Sequence, residues 1–370
     1  MKWLAALLIL THGLIHFMGV AKAFGLAEMP QLTEAISPRA GAGWLLAGVA
    51  FIVASVLLVA APRIWWVSGL VAVALSQAVI FSAWSDARFG TLVNLLVLLL
   101  ALYGLASQGP WSLRAEYDAA VRERLSEVAP PASVLTEDDL ASLPEPVRRY
   151  VRRAGAVGRV RPTHFRARWT GRIRGTPDEP WMSFTAEQYN FVDDPARFFM
   201  MDARRSGLPV DVLHVFRDGA ASMRVRLLSL IPMVRSSGPD LTRAETVTLL
   251  NDLSILAPGA LTDPSIRWEA IDDRSASANY TVGSNTVRAV LSFDQEGDLV
   301  DFVSDDRFAT SADGSELVRQ RWSTPLSDYR SFGPLRAAGR GEGWWHPEDG
   351  GDFSYIELAL VDLEVNPPSS

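Results

Sequence analysis

The sequence predicts a membrane bundle of four transmembrane α-helices joined to a soluble α+β domain, a curved antiparallel half-barrel packed on a helix. Three observations carry this expectation. The first 107 residues hold four apolar runs long enough to cross a bilayer. Beyond Gln108 charge rises and no long apolar run recurs. From His164 the apolar period changes from helical to two, and one strongly apolar helical segment interrupts the alternation.

The runs are Trp3 to Phe24, Gly41 to Ala61, Ile64 to Trp84 and Gly90 to Ser107. At about 1.5 Å per residue each spans ~25 to 33 Å, against a hydrocarbon core of ~30 Å. Met1-Lys2 before Leu4 to Leu10 has the look of a secretory signal, but the apolar run continues past His16 without a small-residue cleavage site, so a retained helix is expected. Lys2, Arg63 and Arg114 lie on the side of the N-terminus, and Lys22, Arg39 and Arg88 on the other. Arg122 and Arg124 tip the count toward both termini in the cytoplasm of a multi-pass protein of the cell membrane.

The net charge of -7 and mean hydropathy of +0.11 average two unlike halves. No basic stripe interleaved with aromatics occurs, which argues against nucleic acid as a partner. With no cysteine, disulfides, thiolate metal sites and a cysteine nucleophile are excluded. The expected domains are residues 1–108 in the membrane, a helical and proline-rich linker over 109–141, and the half-barrel over 142–370. Ala129-Pro130-Pro131-Ala132-Ser133 closes the linker's charged helix, Leu113 to Val128.

Leu143-Pro144-Glu145-Pro146-Val147 opens a short helix with Val147, Tyr150 and Val151 on one face. In His164 to Gly175, Phe165, Ala167, Trp169 and Ile173 alternate with arginines and a threonine, marking a half-buried strand with a cationic outer face. Ala276 to Val282 and Val287 to Phe293 form a hairpin about Gly283-Ser284. Further turns fall at Asp218-Gly219, Gln295 to Asp298 and Asp313-Gly314, giving about nine to eleven strands in hairpin succession. Thr242-Arg243-Ala244-Glu245 is a capping-box pattern, so a helix is expected from Arg243 to Ile255 on the concave side of the sheet. Leu227 to Val234 is read as apolar, flexible surface nearby.

The run Leu143 to Tyr150, then Ala186-Glu187-Gln188-Tyr189, Phe216-Arg217-Asp218-Gly219, Leu228 to Val234 and Ile266-Arg267-Trp268-Glu269 resemble a bacterial family known only as a domain of unknown function, over roughly residues 142–366. The order of strands and helix is also similar to the LolA and LppX class of curved half-barrels, which implies a sheet that holds acyl chains against internal helices. Around Thr11-His12-Gly13-Leu14-Ile15-His16 the membrane part resembles DoxX-like proteins.

Two sites follow from the residues. A ligand cavity would be lined by Phe165, Trp169, Phe184 and Phe293 with Leu249, Leu250 and Leu253 of the inner helix. A membrane polar site would gather His12, His16, Gln77, Asp86 and Asn94, with His16 meeting Gln77 at similar depth and Asn94 lying near Asp86. An i, i+4 histidine pair needs a further ligand to hold a transition metal, and no third membrane histidine exists. Interhelical hydrogen bonding is therefore the expected role of the pair.

Glu187, Asp272, Asp273, Asp301, Asp305 and Asp306 read as turn and solvated-face carboxylates, and His164, His214 and His346 lack zinc-type spacing. His214 is expected to be a packed histidine. Gly339-Arg340-Gly341-Glu342-Gly343 is placed between strands, where it cannot cradle phosphate as a strand-to-helix loop does. Trp344-Trp345-His346-Pro347 follows, before a Glu-Asp-Gly-Gly turn. No catalytic residue, metal or cofactor is nominated. The leading expectation is a non-catalytic, membrane-anchored module binding a lipid or isoprenoid. The competing readings are an interaction scaffold with a filled core, serving a membrane protein partner, and a redox or proton-handling subunit built on His12 and His16.

Overall fold

The computed structural model describes residues 2–130, 133–310, 317–348 and 350–368. Pro131-Ala132, the Asp313-Gly314 turn and Asp349 lie outside them. The chain divides into two compact units between Glu116 and Tyr117, with Leu228–Leu230 assigned to the first.

In the first unit four helices are long and apolar enough to cross a membrane. They are α1 (Lys2–Ala23), α2 (Pro38–Ala60), α3 (Trp65–Ser82) and, after the short α4 (Trp84–Ala87), α5 (Gly90–Gln108). The bundle is inside out by soluble standards. Leu4, Leu14, Val56, Phe81, Leu92 and Leu99 are exposed, while His12, His16, Ser55, Ser76 and Asn94 are buried. Glycines allow the close crossing of α1 and α2: a Cβ on Gly13 would stand 2.8 Å from that of Phe51, and one on Gly48 would stand 3.0 Å from the Gly13 carbonyl.

The second unit begins inside the segment expected to be a linker. Helix α6 (Leu113–Glu127) is held to the sheet by Tyr117, whose hydroxyl donates to Glu187, and by Arg124, which pairs with Asp194 and stacks on Phe191. Leu135 and Leu140 enter the main core, and Val134 bridges to Val160. Apolar residues scattered at single positions anchor this stretch, so composition alone made it look detached.

Helix α7 (Glu145–Arg153) precedes fourteen strands: β1 (His164–Ile173), β2 (Met182–Phe191), β3 (Ala196–Arg205), β4 (Leu208–Arg217), β5 (Ala220–Leu227), β6 (Ile231–Ser237), β7 (Ile266–Asp272), β8 (Ser275–Val282), β9 (Asn285–Phe293), β10 (Leu299–Thr310), β11 (Leu317–Ser323), β12 (Leu326–Phe332), β13 (Leu335–His346) and β14 (Phe353–Val365). Their order is β6-β5-β4-β3-β2-β1-β14-β13-β11-β10-β9-β8-β7, with β12 also paired to β13, and every pairing is antiparallel. The strand count exceeds the expected nine to eleven. Leu227 to Val234 is a hairpin between β5 and β6 rather than loose surface, and β6 is a mostly exposed edge strand. The glycine run sits within β13, where Gly341 faces Leu326 and Gly343 lies against Tyr355 and Ile356.

Helix α8 (Pro239–Leu256) fills the concave face, touching β5 and β6 at one end of the sheet and β8, β9 and β10 at the other. It starts earlier than the capping box predicts. Pro239 occupies the first turn and Gly238, at φ 117°, turns the chain into it. Thr242 donates back to the Gly238 carbonyl and accepts from the Ala221 amide, which frees Glu245 for the interior. Leu250 is fully buried in the core that joins helix and sheet. Leu250→Ala should cost about 2–5 kcal/mol, read from denaturant unfolding followed by the β-sheet infrared band.

Candidate functional site

Six side chains of the first unit form a continuous polar cluster. His12 Nε2 lies 3.0 Å from Asn94 Oδ1, and His16 Nε2 lies 2.8 Å from Ser76 Oγ. His16 Nδ1 must carry hydrogen, because its partner at 2.8 Å is the His12 carbonyl. Ser76 Oγ is also 3.1 Å from Asn94 Oδ1, and the chain continues through Asn94 to Gln77 and Gln77 to Thr91. Three helices are thereby tied at one depth.

Two expected neighbours are corrected. His16 meets Ser76 rather than Gln77, one position along α3. Asn94 meets His12 and Gln77 rather than Asp86, because α5 starts level with His12: a Cβ on Gly90 would stand 3.5 Å from His12 Cε1. Asp86 instead accepts from the Thr33 and Glu34 amides and holds the loop between α1 and α2.

In the second unit the seven nominated cavity residues, Phe165, Trp169, Phe184, Leu249, Leu250, Leu253 and Phe293, all lie in one buried core cluster. None lines a hollow of about 510 Å³ bounded by Val134, Val160, Pro162, Pro258 and Leu335. A broad apolar arc on α8 packs equally well against a sheet as around a guest, so hydrophobicity could not separate the two.

The unforeseen feature is a buried polar network on α8. Asp252 Oδ2 accepts from Arg197 Nε at 2.7 Å and from Gln188 and Asn190 at 3.0 Å each. Gln188 in turn accepts from the Trp169 indole at 2.9 Å. Glu245, two turns earlier, faces Arg197 at 3.3 Å, Arg307 at 3.5 Å and His214 at 3.8 Å. Arg307 also reaches the Ala244 carbonyl and Thr248, and stacks on Trp322. Among the described residues, three buried polar atoms here have no hydrogen-bond partner: His214 Nδ1, Arg307 Nε and Trp322 Nε1.

Register explains the convergence. Gln188, Phe199, His214 and Met223 share one concave row across β2 to β5, and Asn190, Arg197 and Phe216 the row beside it. Burial pulls the His214 imidazole down to about 4, helped by Arg197 and Arg307 and opposed by Glu245, so it is neutral at pH 7. Burial alone would raise the Glu245 carboxyl, but His214, Arg197 and Arg307 bring it below its usual value. With His214 neutral, the two guanidiniums hold it ionised. The sequence signal was the placing of Glu245 and Asp252 seven apart, two turns along the helix that also carries Val247, Leu249, Leu250 and Leu253.

The carboxylates set aside earlier remain apart. Asp306 pairs with Arg243 and Arg319, Asp305 with Arg321, and Asp272 accepts from the Arg274 amide. His164 is bonded to the Pro367 carbonyl.

An antiparallel half-barrel wrapped on a buried helix, with a neutralised ion network between them, defines the class of this unit. Residues 133–358 match DUF6544, a family of unknown function, and the chain belongs to that family. The match begins after the four apolar helices, and nothing found supports the expected resemblance of that part to DoxX-like proteins. No curated protein matches the chain. Among solved structures, a domain from Vibrio parahaemolyticus, provisionally described as an outer membrane lipoprotein-sorting protein, is similar at 12% identity and a TM-score of 0.32, covering 55% of this chain and 85% of that one. A DUF1329 family protein from Desulfovibrio piger is similar at 12% identity and a TM-score of 0.33, covering 69% and 93%.

Arg197→Met leaves Asp252 buried without its cation and should cost about 3–5 kcal/mol, much of it recovered in Arg197→Met/Asp252→Asn. Denaturant unfolding of the sheet measures both. Because the folded state holds His214 near 4 while the unfolded imidazole titrates near 6.5, this group's contribution is complete above pH ~6.5 and is lost as pH falls toward 4. Wild type should lose about 2 kcal/mol more than His214→Phe between pH 7 and pH 5, seen in the sheet's unfolding midpoint.

Proposed function

We propose that the chain is a membrane-anchored binding module for an uncharged apolar ligand, such as a lipid or isoprenoid, taken up where the concave sheet extends beyond α8. The observation that carries this reading is a set of half-buried apolar side chains around an under-bonded polar floor. Val212, Met223, Val225 and Leu227 of β4 and β5 are neither packed solid nor fully exposed, and neither are Ala309 and Leu317 on the other arm. Beside them stand His214, Arg307 and Thr248. Apolar burial at about 25 cal/mol per Å² would favour a long chain on this surface.

Charge selects the guest. Arg197 and Arg307 balance Glu245 and Asp252, so an ionised headgroup would add a buried charge without a counterion. An ester carbonyl or hydroxyl oxygen matches the unpartnered Arg307 and Trp322 nitrogens. The four apolar helices would keep the module at the bilayer of the cell membrane, with their outward leucines and phenylalanines in lipid. A second reading, an interaction scaffold for a membrane protein partner, is favoured by the solid packing around Leu249, Leu250 and Leu253.

Mass spectrometry of lipids that co-purify with the full chain separates the two. Wild type should carry a discrete uncharged lipid, depleted several-fold by Val225→Trp and retained by His12→Ala/His16→Ala. A lipid profile that Val225→Trp leaves unchanged would favour the scaffold.

A further inference from the structure

On the opposite face of the sheet, Ser323, His346 and Asp352 stand in line. His346 Nε2 is 2.8 Å from Ser323 Oγ, and His346 Nδ1 is 2.8 Å from Asp352 Oδ2. The strands explain why these side chains share a face. Trp322 and Trp345 are paired across β11 and β13 and enter the core, so Ser323 and His346, one residue further along each strand, turn outward. Asp352, just before β14, lies against the histidine.

We propose that Ser323 is an activated nucleophile and that these residues form an acyl-transfer site for carboxylic esters. The chemistry rests on which nitrogen meets which partner. Asp352, as a carboxylate, only accepts, so it holds the hydrogen of His346 on Nδ1 and leaves the Nε2 lone pair facing the Ser323 hydroxyl. When Ser323 Oγ attacks an ester carbonyl, its proton passes to His346 Nε2. The acyl–O bond breaks as that proton moves to the departing alkoxide. Water, deprotonated by the same nitrogen, then attacks the acyl-serine; the acyl–Oγ bond breaks, the proton on Nε2 returns to Ser323 Oγ, and the carboxylic acid leaves.

Exposure follows the same order of use. Ser323 is 4% exposed, as a nucleophile kept from bulk water is, whereas the His346 side chain is 26% exposed and within reach of a leaving group. Trp344, cross-strand from Ser323 and bonded through its indole to Glu342, supplies an ordered apolar wall beside it. Ser323 is also the last residue of β11, followed by Thr324 and Pro325, and proline has no amide hydrogen to extend a ladder. None of Ser323, His346 and Asp352 is among the residues assigned to ligand uptake.

The test is a fluorophosphonate probe applied to the full chain in detergent, with the adduct located by peptide mass spectrometry. Ser323 should be labelled, His346→Gln should abolish labelling in a protein that unfolds at the wild-type temperature, and Asp352→Asn should slow it at least tenfold with partial recovery in Asp352→Glu. Absence of a Ser323 adduct on folded wild type, or a labelling rate indifferent to His346→Gln, would overturn the proposal.

Discussion

A helix buried around nearly its whole circumference sets the shape of everything that surrounds it. Helix α8 presents leucines to some neighbours and two carboxylates to others, and both kinds of surface must be covered. A flat sheet covers one side of a helix. The fourteen-stranded sheet therefore curls until β3 to β5 and β8 to β10 approach α8 from different directions, with Arg197 and Arg307 delivered from strands far apart in the sheet order to one glutamate. Irregularities at Arg168/Trp169, Val225/Arg226, Ser304/Arg307 and Gly343/Trp344 give the strands the local bends that such a curl requires. A buried ion network adds little net stability over a packed apolar core, but it punishes misplacement severely. Sliding β3 by one residue would turn Arg197 outward and leave Asp252 uncompensated.

The four-helix unit poses the inverse problem. Its outer surface is largely apolar, so specificity has to come from the few polar groups inside. Ser76 and Asn94 serve as junctions where α1, α3 and α5 meet, while the glycines of α1 and α2 bring those two helices together by shape. Burial of His12 and His16 is acceptable there because their bonded ring nitrogens are already engaged.

Periodicity made most of the fold legible. The four long apolar helices, the alternation of β1, the β8 to β9 hairpin at Gly283 and the inner helix all follow from residue spacing. What spacing could not supply was anything requiring two distant segments at once. The start of α8 was misplaced because Thr242 to Glu245 fits a capping box locally, while the Gly238-Pro239 entry and the ion cluster claim those residues instead. The edge strand β6 was missed because an exposed strand has no buried face to impose alternation. The nominated cavity residues are buried, yet burial does not distinguish a cavity wall from a packed core. His214 looked like a packed histidine, and its environment is charged only because Arg197, Glu245 and Arg307 arrive from three other elements.

Strand geometry also binds the two faces of the sheet to each other. On β11 one residue step separates Trp322, stacked under Arg307 in the interior, from Ser323 on the outside. On β13 the same step separates Trp345 from His346. A strand cannot rotate one of these side chains without carrying its neighbour, because alternation is a property of the backbone and not of the residue. The spacing of Ser323 and His346 is thus fixed by the pairing of two core tryptophans. The inner and outer constellations occupy opposite faces of the same two strands, each rigid for the reason that the other is.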